Sequence, residues 1–275
     1  MIPSAIWLML LVALVALVVF MAIPAMAAEP CSCPGGHCAL CCDGNHLESD
    51  GWKKLDTQTN GSFTNGGKYY IDADVLEKSF VISKTNYEIT ICLNGKQWIG
   101  AASGDERTRP LSVTKTTTVN IVDCSPVNGE GVSAGRITGS DLTWRTKNNN
   151  MSRGGNLYAI DGGVIKIYNG TMEGGKAFSG GNVYIGGTTT GSKLYVYGGV
   201  LKGGEAISYT QETTSEGTTT QTQREGCGGN IFMATSSCEV YLHGGKVAGG
   251  FVETTTGTAL TAKGPAIYVY AGTCG

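Results

Sequence analysis

Apolar and polar residues alternate with a period of two in a segment that occurs four times in the chain. The four copies start at Gly154, Gly180, Gly228 and Gly264. In each copy, apolar residues stand three and five positions after the first glycine, with a tyrosine or phenylalanine between them. This alternation is typical of a strand with one buried face. We therefore expect the apolar residues to point into a core and the aromatic residues to point outward.

Two more short strands are predicted after each of the first three copies. The second strand starts at the apolar residues Ile165, Leu194 and Val240, and the third contains Met172, Leu201 and Val247. Residues 89–100, 119–125 and 135–139 show the same rhythm of strand and turn. Three short strands joined by glycine turns, repeated at about 26 residues, are typical of one coil of a parallel β-helix. The pattern predicts an all-β solenoid of about five coils with three short strands per coil.

An asparagine follows the glycine pair in three of the copies, at Asn156, Asn182 and Asn230. In stacked coils these side chains would lie above one another, and their amides would hydrogen-bond from coil to coil. The calcium-binding nonapeptide of some β-helices requires an aspartate that these repeats lack, so we predict no calcium-binding turns.

The segments "ICLNGKQWIG", "NIVDCS" followed by "GRITG", and "GGNVYIGG" followed by "LYVYGGVLKGG" carry a resemblance to a known family. They resemble exported right-handed parallel β-helix proteins of anaerobic gut bacteria, which have a pectin-lyase-like fold. The resemblance covers roughly residues 31–275 and implies the fold, with a Cys/His-rich box at the mature N-terminus, but no particular activity. Because the sequence stops midway through a coil at Gly275, we expect the natural protein to be longer.

The N-terminal residues predict export. Residues 5–23 are apolar and uncharged, and Ala25-Met26-Ala27 has the small residues that signal peptidase requires. Residues 1–27 are predicted to be a signal peptide, with an uncleaved membrane anchor as the alternative, since the apolar stretch is long enough to span a bilayer. The mature chain is then a Cys/His-rich box over residues 28–50 and a β-helix over residues 51–275, secreted or displayed on the cell surface.

The box "CSCPGGHCALCCDGNH", residues 31–46, holds five cysteines and two histidines. Thiolates and imidazoles this close together could bind a structural zinc ion, and disulfides in an oxidising compartment are the alternative. The candidate zinc ligands are Cys31, Cys33, His37, Cys38, Cys41 and His46. Apart from this possible zinc, no cofactor is predicted. Cys238 and Cys274 stand ten residues after Gly228 and Gly264, so we expect them to stack on neighbouring coils within disulfide range.

Charge excludes one class of partner and makes catalysis uncertain. The net charge is −2 and the basic residues are scattered, which is unlike a nucleic-acid-binding surface. Glycoside hydrolysis requires two carboxyl groups at one groove. The acidic residues of the repeats are isolated, at Asp123, Asp161, Glu173 and Glu239. We therefore favour a non-catalytic protein, with a polysaccharide-degrading enzyme and a spacer without a ligand as the alternatives.

The outward aromatic residues are the candidate ligand-binding surface. They form predicted columns along the solenoid, which would bind a polysaccharide, a surface glycan or a surface protein, as an adhesin does. Stacking that only stabilises the fold is the alternative. The column residues are Tyr158, Tyr184, Phe232, Tyr268, Tyr195, Tyr241, Tyr168, Tyr197 and His243. Insertions at one corner form a second candidate face, with Arg107, Arg109, Trp144 and Arg145, and the polar residues 209–226 are expected to form a mobile loop there.

Overall fold

The computed structural model describes residue 46 and residues 48–103, 106–125, 133–142, 152–187, 189–215, 218–252 and 264–270. Within these ranges the only helices are two short 3-10 helices, Glu48–Asp50 and Leu55–Thr57. None of the described helices is long and apolar enough to cross a membrane. The predicted signal peptide or anchor, residues 1–27, lies outside the described residues.

Most strands, numbered in chain order, belong to three parallel sheets. Sheet A contains β1 (Trp52–Lys54), β2 (Lys68–Tyr70), β5 (Glu88–Cys92), β10 (Thr118–Val122), β13 (Val164–Ile167), β17 (Lys193–Val196) and β23 (Glu239–Leu242). Sheet B contains β3 (Val75–Glu77), β6 (Gln97–Ile99), β11 (Arg136–Thr138), β14 (Thr171–Glu173), β18 (Val200–Lys202) and β24 (Lys246–Ala248). Sheet C contains β4 (Phe80–Ser83), β9 (Leu111–Thr114), β12 (Leu157–Ala159), β16 (Val183–Ile185), β22 (Ile231–Met233) and β26 (Ile267–Val269).

The remaining strands form smaller sheets. A three-stranded parallel sheet contains β15 (Lys176–Ala177), β19 (Glu205–Ala206) and β25 (Phe251–Val252). Two antiparallel hairpins consist of β7 (Ala102–Ser103) with β8 (Glu106–Arg107), and of β20 (Tyr209–Ser215) with β21 (Thr218–Arg224).

The chain passes from sheet A to sheet B to sheet C and then returns to sheet A. Because sheets B and C each have six strands, this round is completed six times between β2 and β26. The predicted all-β class with parallel sheets is confirmed and is compatible with a solenoid. The strands pair in the predicted register, with Ile165 opposite Leu194 and Leu194 opposite Val240. The round of β2, β3 and β4 was not recognised in the sequence, although Gly66 and Gly67 stand directly before β2.

Apolar residues from all three sheets form one continuous core, which Ile165 of sheet A, Leu201 of sheet B and Val183 of sheet C exemplify. Each such side chain contributes about 1.5–3 kcal/mol when it is fully buried. The N-terminal end of this core is covered by Leu55 and Phe63.

The glycine pair of the repeat meets two separate steric requirements. The first glycine, represented by Gly180, has a φ of +67°, a conformation that side chains disfavour. At the second, Gly181, a Cβ atom would collide with the carbonyl oxygen of Gly229 in the following round. The pair therefore turns the chain where successive rounds are too close for a side chain.

The predicted asparagine stack is confirmed. Asn156 Nδ2 donates to Asn182 Oδ1 over 2.9 Å, and Asn182 Nδ2 donates to Asn230 Oδ1 over 2.6 Å. All three residues are fully buried. The stack therefore satisfies the buried amides of Asn182 and Asn230, which would otherwise be costly to remove from water, whereas Asn156 Oδ1 at its end accepts no hydrogen bond from the described residues.

Residues 209–226 were expected to form a loop without strands. They contain instead the antiparallel hairpin of β20 and β21. Its abundant threonines explain the difference, since β-branched residues favour strands even in a polar segment. The shorter insertion "GDERTR" likewise contributes β8 to a two-stranded hairpin.

Candidate functional site

Five of the predicted ring residues lie together on the outer side of sheet A, and we call them the tyrosine face. Leu194 and Val196 of β17 are buried in the core, so the intervening Tyr195 points away from it. Tyr195 pairs with Tyr241 of β23, and their ring centroids are 4.8 Å apart. The tyrosine face consists of Tyr168, Tyr195, Tyr197, Tyr241 and His243.

The rings of the tyrosine face form two parallel stacks. The centroids of Tyr168 and Tyr197 are 4.9 Å apart and those of Tyr197 and His243 are 5.0 Å apart. The two stacks lie side by side, with the ring centroids of Tyr195 and Tyr197 6.1 Å apart. The ring planes of Tyr195 and Tyr241 differ by only 10°, so neighbouring rings cover each other's faces. A ligand of the tyrosine face would therefore meet ring edges and hydroxyls rather than ring faces.

An ion pair borders the tyrosine face. Lys193 Nζ lies 2.8 Å from Glu239 Oε2, and the hydroxyl of Tyr241 donates a hydrogen bond of 2.7 Å to the same oxygen. The hydrogen bond from Lys193, and then the one from Tyr241, lower the pKa of Glu239, while the bond to Glu239 raises the pKa of Tyr241. Burial raises the pKa of Tyr197. At neutral pH the surface therefore offers the neutral phenols of Tyr197 and Tyr241 beside a carboxylate and ammonium pair.

The remaining predicted column lies on sheet C and is partly covered. Its neighbouring rings are 5.2, 5.5 and 5.8 Å apart along Tyr158, Tyr184, Phe232 and Tyr268. Tyr184 is 6% exposed and Phe232 5% exposed, and both pack with Cys227 in a second apolar cluster. Burial also raises the pKa of the Tyr184 hydroxyl. The expectation that this column is an open binding surface is therefore wrong at its centre, because a second layer of side chains covers it.

Arginine side chains take part in this covering. The guanidinium of Arg109 lies 4.3 Å from the ring centroid of Tyr158, and that of Arg153 lies 5.2 Å from the ring centroid of Tyr184. Such cation–π contacts stabilise by about 0.5–2 kcal/mol each. Arg109 was predicted for the corner face, whereas Arg153 was missed, although its position directly before Gly154 was a usable signal. Arg107 lies in β8, and the predicted Trp144 and Arg145 lie outside the described residues.

A cluster of one imidazole and two thiols lies at the other end of sheet A. His46 Nε2 is 3.3 Å from Cys124 Sγ, which is 2.7 Å from Cys92 Sγ. These ligand atoms all lie within 4.8 Å of one another, an arrangement that could hold a metal ion. Sequence reasoning had considered only His46 of the three. The usable signal was a cysteine at the end of a sheet A strand in two consecutive rounds, in "ITIC" and "NIVDC".

The other cysteine and histidine predictions are mostly outside the described part of the chain. This applies to the candidate zinc ligands Cys31, Cys33, His37, Cys38 and Cys41, and to Cys274 of the candidate disulfide. Cys238, the expected disulfide partner of Cys274, is buried, and its Sγ lies 3.2 Å from Thr235 Oγ1.

The described carboxylates of the repeats serve turns and ion pairs. Buried Asp123 accepts hydrogen bonds from the backbone N–H groups of Gly95 and Gly135, at 2.7 and 2.6 Å, and from the hydroxyl of Ser125 at 2.7 Å. Its oxygens therefore hold neighbouring turns together. Glu173 pairs with Lys202 at 3.0 Å. Asp161 occupies an exposed turn with a φ of +53°.

Comparisons with known proteins give this chain no relative. No protein-family model matches it, and it matches neither a curated protein nor a solved structure.

Proposed function

We propose that this chain is an exported, non-catalytic, right-handed parallel β-helix that binds a polysaccharide or surface glycan through the tyrosine face. The regular A–B–C order and the parallel pairing of consecutive rounds support the β-helix. Right-handedness is the strong preference of connections between parallel strands of one sheet. The resemblance to pectin-lyase-like repeat proteins, and the apolar N-terminus, support the fold and the export.

The observation that carries the binding proposal is the repetition of polar-edged rings along sheet A. In consecutive rounds, the ring centroids of Tyr195 and Tyr241 are 4.8 Å apart and those of Tyr197 and His243 are 5.0 Å apart. A regular stripe of hydroxyls and ring edges suits a ligand that itself repeats, and an extended polysaccharide presents hydroxyls and apolar C–H edges at regular intervals. Tyrosine serves such surfaces well because it offers a large rigid area with a hydroxyl at little cost in conformational entropy.

The positions of the acidic residues support binding without catalysis. Among the described strands of sheet A, the acidic residues are Glu88 and Glu239. They stand in the same column, four strands apart, which corresponds to about 19 Å at ~4.8 Å per strand. The two carboxyl groups of glycosidases are separated by no more than ~9.5 Å. The described strands that carry the tyrosine face therefore lack the carboxyl pair that hydrolysis would use.

A glycan array probed with the purified chain tests this proposal. We expect wild-type protein to bind a subset of polysaccharides, and the double variant Tyr195→Phe with Tyr241→Phe to bind them at least tenfold more weakly, about 1.4 kcal/mol. Phenylalanine keeps the stacked rings but removes the hydroxyls, so folding should be retained. Tyr87→Phe is the matched control, since Tyr87 lies outside the columns, beside Lys84.

The two possible failures differ. Binding that survives both this double variant and Tyr195→Ala with Tyr241→Ala would overturn the tyrosine face as the site. A wild-type chain that binds no glycan on the array would overturn the function and favour the spacer.

A further inference from the structure

We propose that His46, Cys92 and Cys124 form a binding site for a thiophilic divalent metal ion of the zinc type. The proposal does not depend on glycan binding, because metal binding would use His46, Cys92 and Cys124, none of which belongs to the tyrosine face, although Tyr168 of that face packs against the apolar residues around the two cysteines. Two thiolates and an imidazole are donors that zinc prefers, and the described part of the chain thus supplies three of the four ligands of a tetrahedral zinc site.

The chain brings these donors together from distant positions. Cys92 ends β5 and pairs with Val122 of β10, and Cys124 follows two residues later, so both cysteines lie at the same edge of adjacent parallel strands. His46 is 78 residues before Cys124 in the sequence. Its ring stacks on Tyr70, with centroids 4.5 Å apart, and meets the ring of Trp52 edge-on at 4.7 Å. These contacts hold the imidazole in place with Nε2 beside the sulfur of Cys124.

The distances suit a metal site after a small adjustment. In a tetrahedral zinc site with Zn–S near 2.3 Å and Zn–N near 2.0 Å, ligand atoms stand roughly 3.5–3.8 Å apart. The separation of 3.3 Å between His46 Nε2 and Cys124 Sγ is already close to this value. The two sulfurs, at 2.7 Å, would have to separate by about 1 Å. Rotation of the two cysteine side chains about χ1 is enough for a shift of this size.

The burial of Cys92 and Cys124 determines how a bound ion would change the protonation of their thiols. Cys92 is fully buried and Cys124 is 3% exposed, packed against Trp52, Tyr70 and Val122. An apolar environment favours the neutral thiol, whereas a bound cation favours the thiolate. Metal binding would therefore release up to two thiol protons, with His46 donating the lone pair of its neutral ring. In an oxidising compartment, an oxidant that takes two electrons from the thiols would instead give a Cys92–Cys124 disulfide, which would leave the imidazole of His46 as the only metal ligand of the three.

Metal titration of the full-length, reduced chain under anaerobic conditions tests the site, with Zn²⁺ for stoichiometry and Co²⁺ for spectroscopy. Because the N-terminal box could bind metal as well, the readout is a difference between variants. We expect the double variant Cys92→Ser with Cys124→Ser to bind one equivalent less than wild type and to lose part of the sulfur-to-cobalt charge-transfer absorption. Cys238→Ser, which removes a buried cysteine elsewhere in the core, should leave both unchanged.

His46→Ala provides a second measurement if the double cysteine variant does not fold. We expect this variant to bind the same equivalent at least tenfold more weakly, and to lose most of the rise in melting temperature that Zn²⁺ produces in wild type. Equal stoichiometry in wild type and the double cysteine variant would overturn the site. So would an equal Zn²⁺-induced rise in His46→Ala, or a Cys92–Cys124 disulfide found by peptide mapping of the zinc-loaded protein.

Discussion

Asn182 connects three successive rounds of the chain through one buried amide. Its Oδ1 accepts hydrogen bonds from Asn156 Nδ2 and the backbone N–H of Gly175, at 2.9 and 3.0 Å. Its Nδ2 donates to Asn230 Oδ1 and to the carbonyl oxygen of Lys202, at 2.6 and 2.9 Å. A side chain without an amide would leave several of these buried groups without partners, each at a cost of about 1–3 kcal/mol.

We therefore expect Asn182→Ala to lower the free energy of unfolding by about 3 kcal/mol or more, measured by urea denaturation. Asn60→Ala is the matched control. Asn60 is exposed and accepts one hydrogen bond, from the backbone N–H of Val81, so its loss should cost less than about 1 kcal/mol. Similar losses in the two variants would show that the stack contributes no more than a surface contact.

The hairpin of β20 and β21 is an appendage of the parallel sheets. Before the hairpin, the N–H of Ile207 donates to the carbonyl oxygen of Ala177, and after it the N–H of Cys227 donates to that of Phe178. The chain thus enters and leaves the hairpin beside two consecutive residues of the preceding round. Because the two ends are already adjacent, the pairing of the rounds does not require the segment between them.

We expect replacement of residues 209–224 by a short Gly-Ser linker to change the free energy of unfolding by no more than about 0.5 kcal/mol, as for other surface changes. The β-sheet circular-dichroism signal should persist. In the wild-type chain, limited proteolysis should cut first within residues 209–226, since the hairpin strands pair with each other alone among the described strands. Loss of cooperative unfolding in the shortened chain would mean that the hairpin is part of the core.

Within the described residues, the core is covered to different degrees at its two ends. At the N-terminal end, Phe63 is 2% exposed and contacts Phe80 edge-on, with ring centroids 5.3 Å apart. At the other end, Leu242 of β23 is 49% exposed and Val269 of β26 is 55% exposed, because each of these strands has a neighbour on one side only among the described strands. Local opening should therefore start from the last round.

Hydrogen exchange followed by mass spectrometry tests this asymmetry. We expect amides of β23, β24 and β26 to exchange at least tenfold faster than those of β5 and β10, which lie inside sheet A and bury Ile91 and Ile121 completely. Strands β2 to β4, under the N-terminal cover, should be protected nearly as well as β5. Equal protection at the two ends would contradict this account.

The sequence by itself determined what is local and repeated. The period-two alternation predicted the strands and their buried faces, and equal offsets from the glycine pair predicted the register, which pairs Ile165, Leu194 and Val240. The asparagine stack followed from the same alignment. These features can be recognised in the sequence because every repeat has the same steric and hydrogen-bonding constraints. The round of β2 to β4 was missed because its strands meet those constraints with different residues.

Only the tertiary structure decided what depends on contacts between distant segments. Tyr184 points out of the main core as predicted, yet it is buried because Arg153 and Cys227 cover it. The rings of the tyrosine face cover each other's faces because the spacing between rounds brings them into stacking contact. His46 meets Cys124 across 78 residues because the end of sheet A holds both. The pattern along the chain predicts the face of the sheet on which a side chain lies. Packing between distant segments decides which residues cover that side chain and which residues it contacts.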